Sequence, residues 1–156
     1  VFLEHKMLYT LKGEINTSDT LSWGQAAVLR QGSDFTLVTY SRMVHRALEA
    51  AEKLAEIGIQ AEVIDLRTLY PLDTETINSS VKKTGRALVV TEDCLTAGVR
   101  AELSSRIMEG AFEFLEEPVL RLAGEDIPIP VAPSMEKEAV PSVDRIFSTA
   151  KLLLRK

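Results

Sequence analysis

Apolar positions along this chain switch back and forth between two spacings. Short continuous runs, Phe35-Thr-Leu-Val-Thr-Tyr40 and Glu62-Val-Ile-Asp-Leu66, are bounded by turn residues, as expected of strands buried on both faces. Between them Val44, Ala47, Leu48, Ala51, Leu54 and Ala55 recur at i, i+3, i+4. That spacing predicts a helix with Ser41 as its cap and Gly58 as its end. The alternation continues with a helix over about 73–83, a strand over 86–91, a helix over about 97–114 halted ahead of Pro118, a strand over 119–122 and an amphipathic helix over 142–154. The joint at Leu69-Tyr-Pro-Leu-Asp73 shows how one element passes into the next. Pro71 disfavours helical geometry at Tyr70, and Asp73 is placed to cap the helix that follows. Residues 25–30 make a further short strand, and 124–133 form a proline-rich irregular segment.

Strands alternating with helices predict an α/β domain whose mostly parallel sheet carries helices on both faces. The first 23 residues keep neither spacing and read as a linker or the tail of a preceding unit, leaving 24–156 as the domain. At 156 residues the chain is long enough to bury one core without staples. The charge balance, 18 basic against 23 acidic residues with no basic cluster, argues against a nucleic-acid partner and suits a basic protein partner better. Cys94 is the sole cysteine, so no intrachain disulfide or zinc cluster is expected, and a lone thiol fits a reducing compartment. No apolar run approaches membrane-spanning length, and the chain opens Val1-Phe-Leu-Glu-His-Lys6 without an initiating Met, as part of a longer polypeptide would.

Chemistry-bearing motifs are scarce. A dinucleotide-binding sheet places Gly-x-Gly-x-x-Gly after its first strand, whereas the turn after Tyr40 reads Ser41-Arg-Met-Val-His45. Neither a phosphate-cradling Gly-x-x-x-x-Gly-Lys nor a serine-hydrolase elbow is present. Three places hold candidates. Ser41, Arg42 and His45 follow a strand's carboxyl end, where open α/β sheets bind ligands. Ser41 and His45 lie one helical turn apart, within reach of a hydroxyl-and-base pair; the commoner role for such residues is a helix cap and a structural histidine. Thr91-Glu-Asp-Cys94 occupies the equivalent corner after a later strand. Its carboxylates suit acid–base work or a cation, or simply favour a helix dipole. Cys94 near a helix start reads as a low-pKa thiol or, lacking a neighbouring base, as inert. Glu116 and Glu117 ahead of Pro118 read as a solvated pair or as a docking patch for a basic partner.

Several motifs in order carry a resemblance. Glu62-Val-Ile-Asp-Leu-Arg-Thr-Leu-Tyr-Pro-Leu-Asp73, Leu37-Val-Thr-Tyr-Ser-Arg-Met-Val-His45 and Val81-Lys-Lys-Thr-Gly-Arg86 resemble beta subunits of the thiamine-diphosphate-dependent 2-oxo-acid dehydrogenases. So do Leu3-Glu-His-Lys-Met-Leu-Tyr9, Ala101-Glu-Leu103, Glu116-Glu-Pro-Val-Leu-Arg121 and Gly124-Glu-Asp-Ile-Pro-Ile-Pro130, and together they span essentially the whole chain.

The resemblance implies the transketolase C-terminal fold, a three-layer α/β/α domain around a five-stranded mixed sheet, with the 25–30 strand running antiparallel. It implies a parent enzyme that decarboxylates a 2-oxo acid on thiamine diphosphate and magnesium and acylates a lipoyl group. The catalytic glutamate and the cofactor belong to domains outside this chain, so no catalytic, cofactor-binding or metal-binding residue is carried over. The isolated chain is expected to be inactive and to self-associate. Expected partners are an alpha subunit, a second beta subunit and the small subunit-binding domain of the acyltransferase core. Glu116 matches part of the acidic docking surface, and Asp126 lies in a loop nearby. Arg106-Ile-Met-Glu-Gly110 resembles the pyruvate type, whereas Thr91-Glu-Asp-Cys-Leu-Thr-Ala-Gly98 departs from branched-chain members. The compartment implied is the cytoplasm, or the mitochondrial matrix in a eukaryote. Two other readings stay open. One is the C-terminal domain of a transketolase or deoxyxylulose-phosphate synthase relative. The other is a free-standing small-ligand module using the crevice near Ser41, His45 and Glu92.

Overall fold

Each central strand alternates its side chains between two cores, and this sorts the helices into two layers. The computed structural model describes residues 2–14 and 20–155. Residues 1 and 15–19 of the stretch read as a linker lie outside the described residues, as does residue 156. The elements are β1 (Ala27–Arg30), β2 (Phe35–Thr39), α1 (Arg42–Glu56), β3 (Ala61–Asp65), α2 (Thr74–Thr84), β4 (Ala87–Cys94), α3 (Val99–Ala111), β5 (Leu120–Gly124), α4 (Pro133–Ala139) and α5 (Val143–Leu153). Short 3-10 turns occupy Lys6–Leu8 and Phe112–Phe114.

The sheet order is β1-β3-β2-β4-β5. β2, β3, β4 and β5 are mutually parallel where they pair, and β1 runs antiparallel against β3. The five-stranded mixed sheet and its antiparallel strand are therefore as the family resemblance implied. Phe35, Leu37, Val63, Leu88 and Val90 face α1 and α5, packing on Ala47, Ala51, Leu54, Ile146 and Ala150. Val38, Ile64, Leu66 and Val89 face α2 and α3, against Ile77, Val81, Leu103 and Ile107. Burial on both faces is what a parallel sheet between helix layers demands.

The same alternation sends two polar residues into the α2 layer. Thr36 Oγ1 lies 2.7 Å from Ser80 Oγ and 2.8 Å from Thr84 Oγ1. Glu62, 2% exposed, accepts from Ser80 Oγ at 2.5 Å and pairs with Lys83. A buried carboxylate survives there because its oxygens have donors. Close approach also selects Gly32, where a Cβ would sit 2.2 Å from the Ala61 carbonyl carbon.

Four boundaries differ from the expectations above. Ser41 sits at the N-cap position of α1, but with φ 56° and ψ −135° its side chain makes no capping bond. β4 continues three residues past Thr91, because Cys94 still pairs with Gly124 beyond an irregularity in the ladder. α3 begins after Ala97, whose φ of 58° is incompatible with a helix, and it gives way to the 3-10 turn at Phe112 instead of running to 114. The proline-rich segment contains α4, with Pro133 in its first turn, where a missing N–H costs nothing. By contrast Asp73 caps α2 as read, accepting from the Thr76 N–H at 3.0 Å, and Gly85 ends that helix with φ 70°.

Candidate functional site

The helices after β2 and β4 leave on opposite faces of the sheet, α1 on one and α3 on the other. The carboxyl ends of these neighbouring strands therefore part, which is where open α/β sheets hold ligands. Alternation along β4 turns Glu92 toward α1 and Asp93 toward α3.

A chain of four polar side chains, two carboxylates, a guanidinium and an imidazole, closes the α1 side. Glu92 Oε1 accepts from Arg42 Nη1 at 2.8 Å, Arg42 Nη1 also reaches Glu136 Oε1 at 3.0 Å, and His5 Nε2 lies 2.9 Å from Glu92 Oε2. The side chains bound a hollow of about 510 Å³ with Met7 and Ile129 at its edge. Burial, the largest influence on Arg42, lowers its pKa, but Glu136 and Glu92 together outweigh it and leave the guanidinium more basic than usual. Arg46, one turn on, is driven down by burial and by Arg42, and donates to the Pro141 carbonyl. Tyr40 behind them is pushed up to about 12 by burial, then by Asp93 and Glu92.

On the α3 side Asp93 accepts from the Val99 N–H at 2.5 Å and from Thr91 Oγ1. Its carboxylate thus serves the start of α3 from the end of a strand. Arg100 is fully buried beneath it, donating to the Cys94 carbonyl at 2.5 Å. Both acidic residues of the Thr91–Cys94 corner are engaged within the domain, and Cys94 itself is exposed. Among the described residues no cluster of three metal-ligating side chains occurs.

The crevice candidates do not converge. Ser41 heads α1, His45 is exposed one turn on, and no hydrogen bond joins them among the described residues. His45 instead lies near Asp65, whose pKa is raised by burial, with the Arg67 N–H, Arg67 and His45 working against that rise. Glu92 alone points into the hollow, and there it is held by Arg42 and His5. His5 and Glu136 are the participants sequence reasoning missed. They lie 87 and 94 residues from their partners, and no local signal marks them.

The two docking candidates lie at opposite ends of β5. Glu116 precedes the strand, its N–H bonded to the Gly85 carbonyl at 2.8 Å and its carboxylate paired with Arg86 while remaining 57% exposed. Asp126 follows the strand and accepts from Thr96 N–H at 2.7 Å and Thr96 Oγ1 at 2.6 Å, bonds that hold its pKa below the ordinary carboxylate range.

This sheet order, with its antiparallel edge strand, defines a recognisable class. The transketolase C-terminal domain family matches residues 24–146, and the chain belongs to that family. Within it, the chain is 45% identical to the mitochondrial pyruvate dehydrogenase E1 component subunit beta-1 of Arabidopsis thaliana, covering 97% of this chain and 43% of that protein. It is 46% identical to the 2-oxoisovalerate dehydrogenase subunit beta of Bacillus subtilis, covering 98% of this chain and 48% of that one. Among solved structures, a split-gene transketolase described as an inactive beta4 tetramer superposes with a TM-score of 0.77 at 25% identity, over 93% of this chain and 47% of that chain. The chain thus spans under half the length of each of these relatives.

Proposed function

We propose that this chain is the C-terminal assembly and docking domain of the beta subunit of a 2-oxo-acid dehydrogenase, with residues 1–23 as the linker from a pyrimidine-binding domain. The observation that carries the reading is the crevice. The place where such a sheet would hold a ligand is taken up by the domain's own Arg42, Glu92, Glu136 and His5. Thiamine diphosphate does not fit there. Three carboxylates, Glu92, Asp93 and Glu136, border the hollow, and its donors Arg42 and His5 are already engaged by Glu92 and Glu136, where a diphosphate needs free N–H donors and cations. The parent enzyme decarboxylates a 2-oxo acid on thiamine diphosphate and magnesium held elsewhere and passes the acyl group to lipoyl. Pyruvate is the favoured substrate, on Arg106-Ile-Met-Glu-Gly110 and on relatives of the pyruvate type.

The proposed partners are the alpha subunit, a second beta subunit and the acyltransferase's subunit-binding domain. Exposed Phe2, Leu3, Trp23 and Tyr70 supply apolar surface for assembly, and a solved relative described as a beta4 tetramer supports self-association. Glu116 is the proposed docking contact, exchanging its Arg86 partner for a basic group of the incoming domain, and Asp126 is a second contact. The same solved relative favours a transketolase parent as the second reading. The working compartment is the cytoplasm or the mitochondrial matrix.

The test is calorimetric titration with the subunit-binding domain across a salt series, comparing wild type with Glu116→Lys. Binding that weakens with salt and is further reduced by the reversal is expected. Failure at low salt by both the chain and an alpha–beta heterotetramer containing it would remove the docking role.

A further inference from the structure

Past the carboxyl end of β5, the proline-rich segment folds back against α4 and leaves an open groove of about 430 Å³. Its floor is apolar, formed by Ile127, Pro130, Met135 and Ala139, and its rim carries the carboxylates Glu125 and Glu138. Among the described residues no cationic side chain lines its floor, and Arg145 stands at the rim beside Glu125. Glu125 is paired with Arg145 at 3.0 Å, the same guanidinium donates to the Glu138 carbonyl at 3.4 Å, and the Glu138 carboxylate itself has no ion-pair partner among the described residues. Ile127 and Met135 are 47% and 59% exposed, and beside the groove Ile129 and Val131 are 52% and 98% exposed. The apolar surface therefore runs on beyond the groove itself.

We infer that this groove is a second docking site, which receives a partner's peptide segment carrying a large apolar side chain next to a lysine or arginine. The chemistry follows from the lining. An apolar floor stabilises a buried aliphatic or aromatic group, and an uncompensated carboxylate at the rim selects a neighbouring cation and rejects an acidic segment. The occupant is a polypeptide because the apolar strip along Ile129 and Val131 extends contact past the hollow, as at protein interfaces with a central anchor. The groove lies past the other end of β5 from Glu116, so the inference is independent of the docking role proposed for that residue, but it shares its edge with Asp126, which Glu125 and Ile127 flank.

Two-dimensional amide NMR of the 15N-labelled chain, titrated at low salt with the blocked peptide Lys-Leu-Leu-Lys, tests it. Saturable shifts centred on Ile127, Met135 and Ala139 are expected. Glu138→Gln should weaken binding about threefold, as for a rim ion pair. Met135→Lys, at an exposed position where the rest of the spectrum reports intact folding, should weaken it tenfold or more. Blocked Glu-Leu-Leu-Glu and Lys-Ser-Ser-Lys should leave these signals unmoved. Equal shifts with either control peptide, shifts confined to other faces, or no shift at millimolar peptide would each overturn the inference.

Discussion

Asp73 offers the most exacting test of how this fold is held together. Its carboxylate does two jobs: it caps α2, taking the Thr76 N–H at 3.0 Å and Thr76 Oγ1 at 2.8 Å, and it fixes the approach to β1 by taking the Ala26 N–H at 2.9 Å. Asp73→Ala removes a cap, a loss of about 1 kcal/mol, and a charge-assisted bond to a backbone donor, about 1.5 kcal/mol. The sum is about 2–3 kcal/mol. Asp73→Asn keeps one acceptor oxygen for two backbone donors and should cost roughly half as much by the same reckoning. Burial by itself raises the Asp73 pKa, but the bonds from Thr76 and Ala26 together outweigh it and hold the group below its ordinary value. A depressed folded-state pKa gives stability that is fully present above the unfolded value of about 3.9 and is lost as pH falls through the folded pKa. Urea denaturation at neutral pH and in acid reads both effects. The gap between wild type and Asp73→Asn should be widest at pH 7 and narrow below pH ~3. A cost for Asp73→Ala under about 0.5 kcal/mol, or a gap that fails to narrow in acid, would refute this account.

Leu54, fully buried where α1 meets α5 and the sheet, should cost about 2–5 kcal/mol when cut to alanine, measured by urea midpoint with unchanged slope. Glu92→Ala removes the acceptor that meets His5 and should loosen the segment over residues 2–14, by about 1–2 kcal/mol, read as roughly five- to thirty-fold faster amide exchange around Met7; unchanged exchange would show that the His5–Glu92 contact does not hold the segment. Thiamine diphosphate titrated into the isolated chain should give no heat above dilution, and tight binding would contradict the reading of the crevice.

Much of the fold was legible because its signals are local. β2 and β3 are apolar runs buried on both faces, the Asp73 cap sits beside the helix it starts, and Gly58, with φ 78°, lies just past the end of α1 as read. What escaped notice depends on distant partners. Glu92-Asp-Cys94 is polar and looks like a loop, yet pairing with β5 carries the strand through it. α4 is seven residues long inside a proline-rich stretch, so its short apolar face makes no period. Ser41 has the identity of a cap, but with φ 56° and ψ −135° it makes no side-chain capping bond. The polar chain across the crevice was readable only at Arg42 and Glu92, because His5 and Glu136 arrive from the two ends of the sequence.

The strand order also imposes a timetable on synthesis. β1 is made first but pairs only with β3, through Ala27 with Asp65 and Val28 with Ile64, and never with its sequence neighbour β2. No hairpin can shelter it while the chain is growing. It stays unpaired on the emerging polypeptide until β2, α1 and β3 have left the ribosome, a long-range closure of the slow kind. Val28 and Leu29 are also partly exposed in the finished domain. A nascent chain thus carries a short apolar strand in search of an edge, and a chaperone acting before β3 emerges would find its target there.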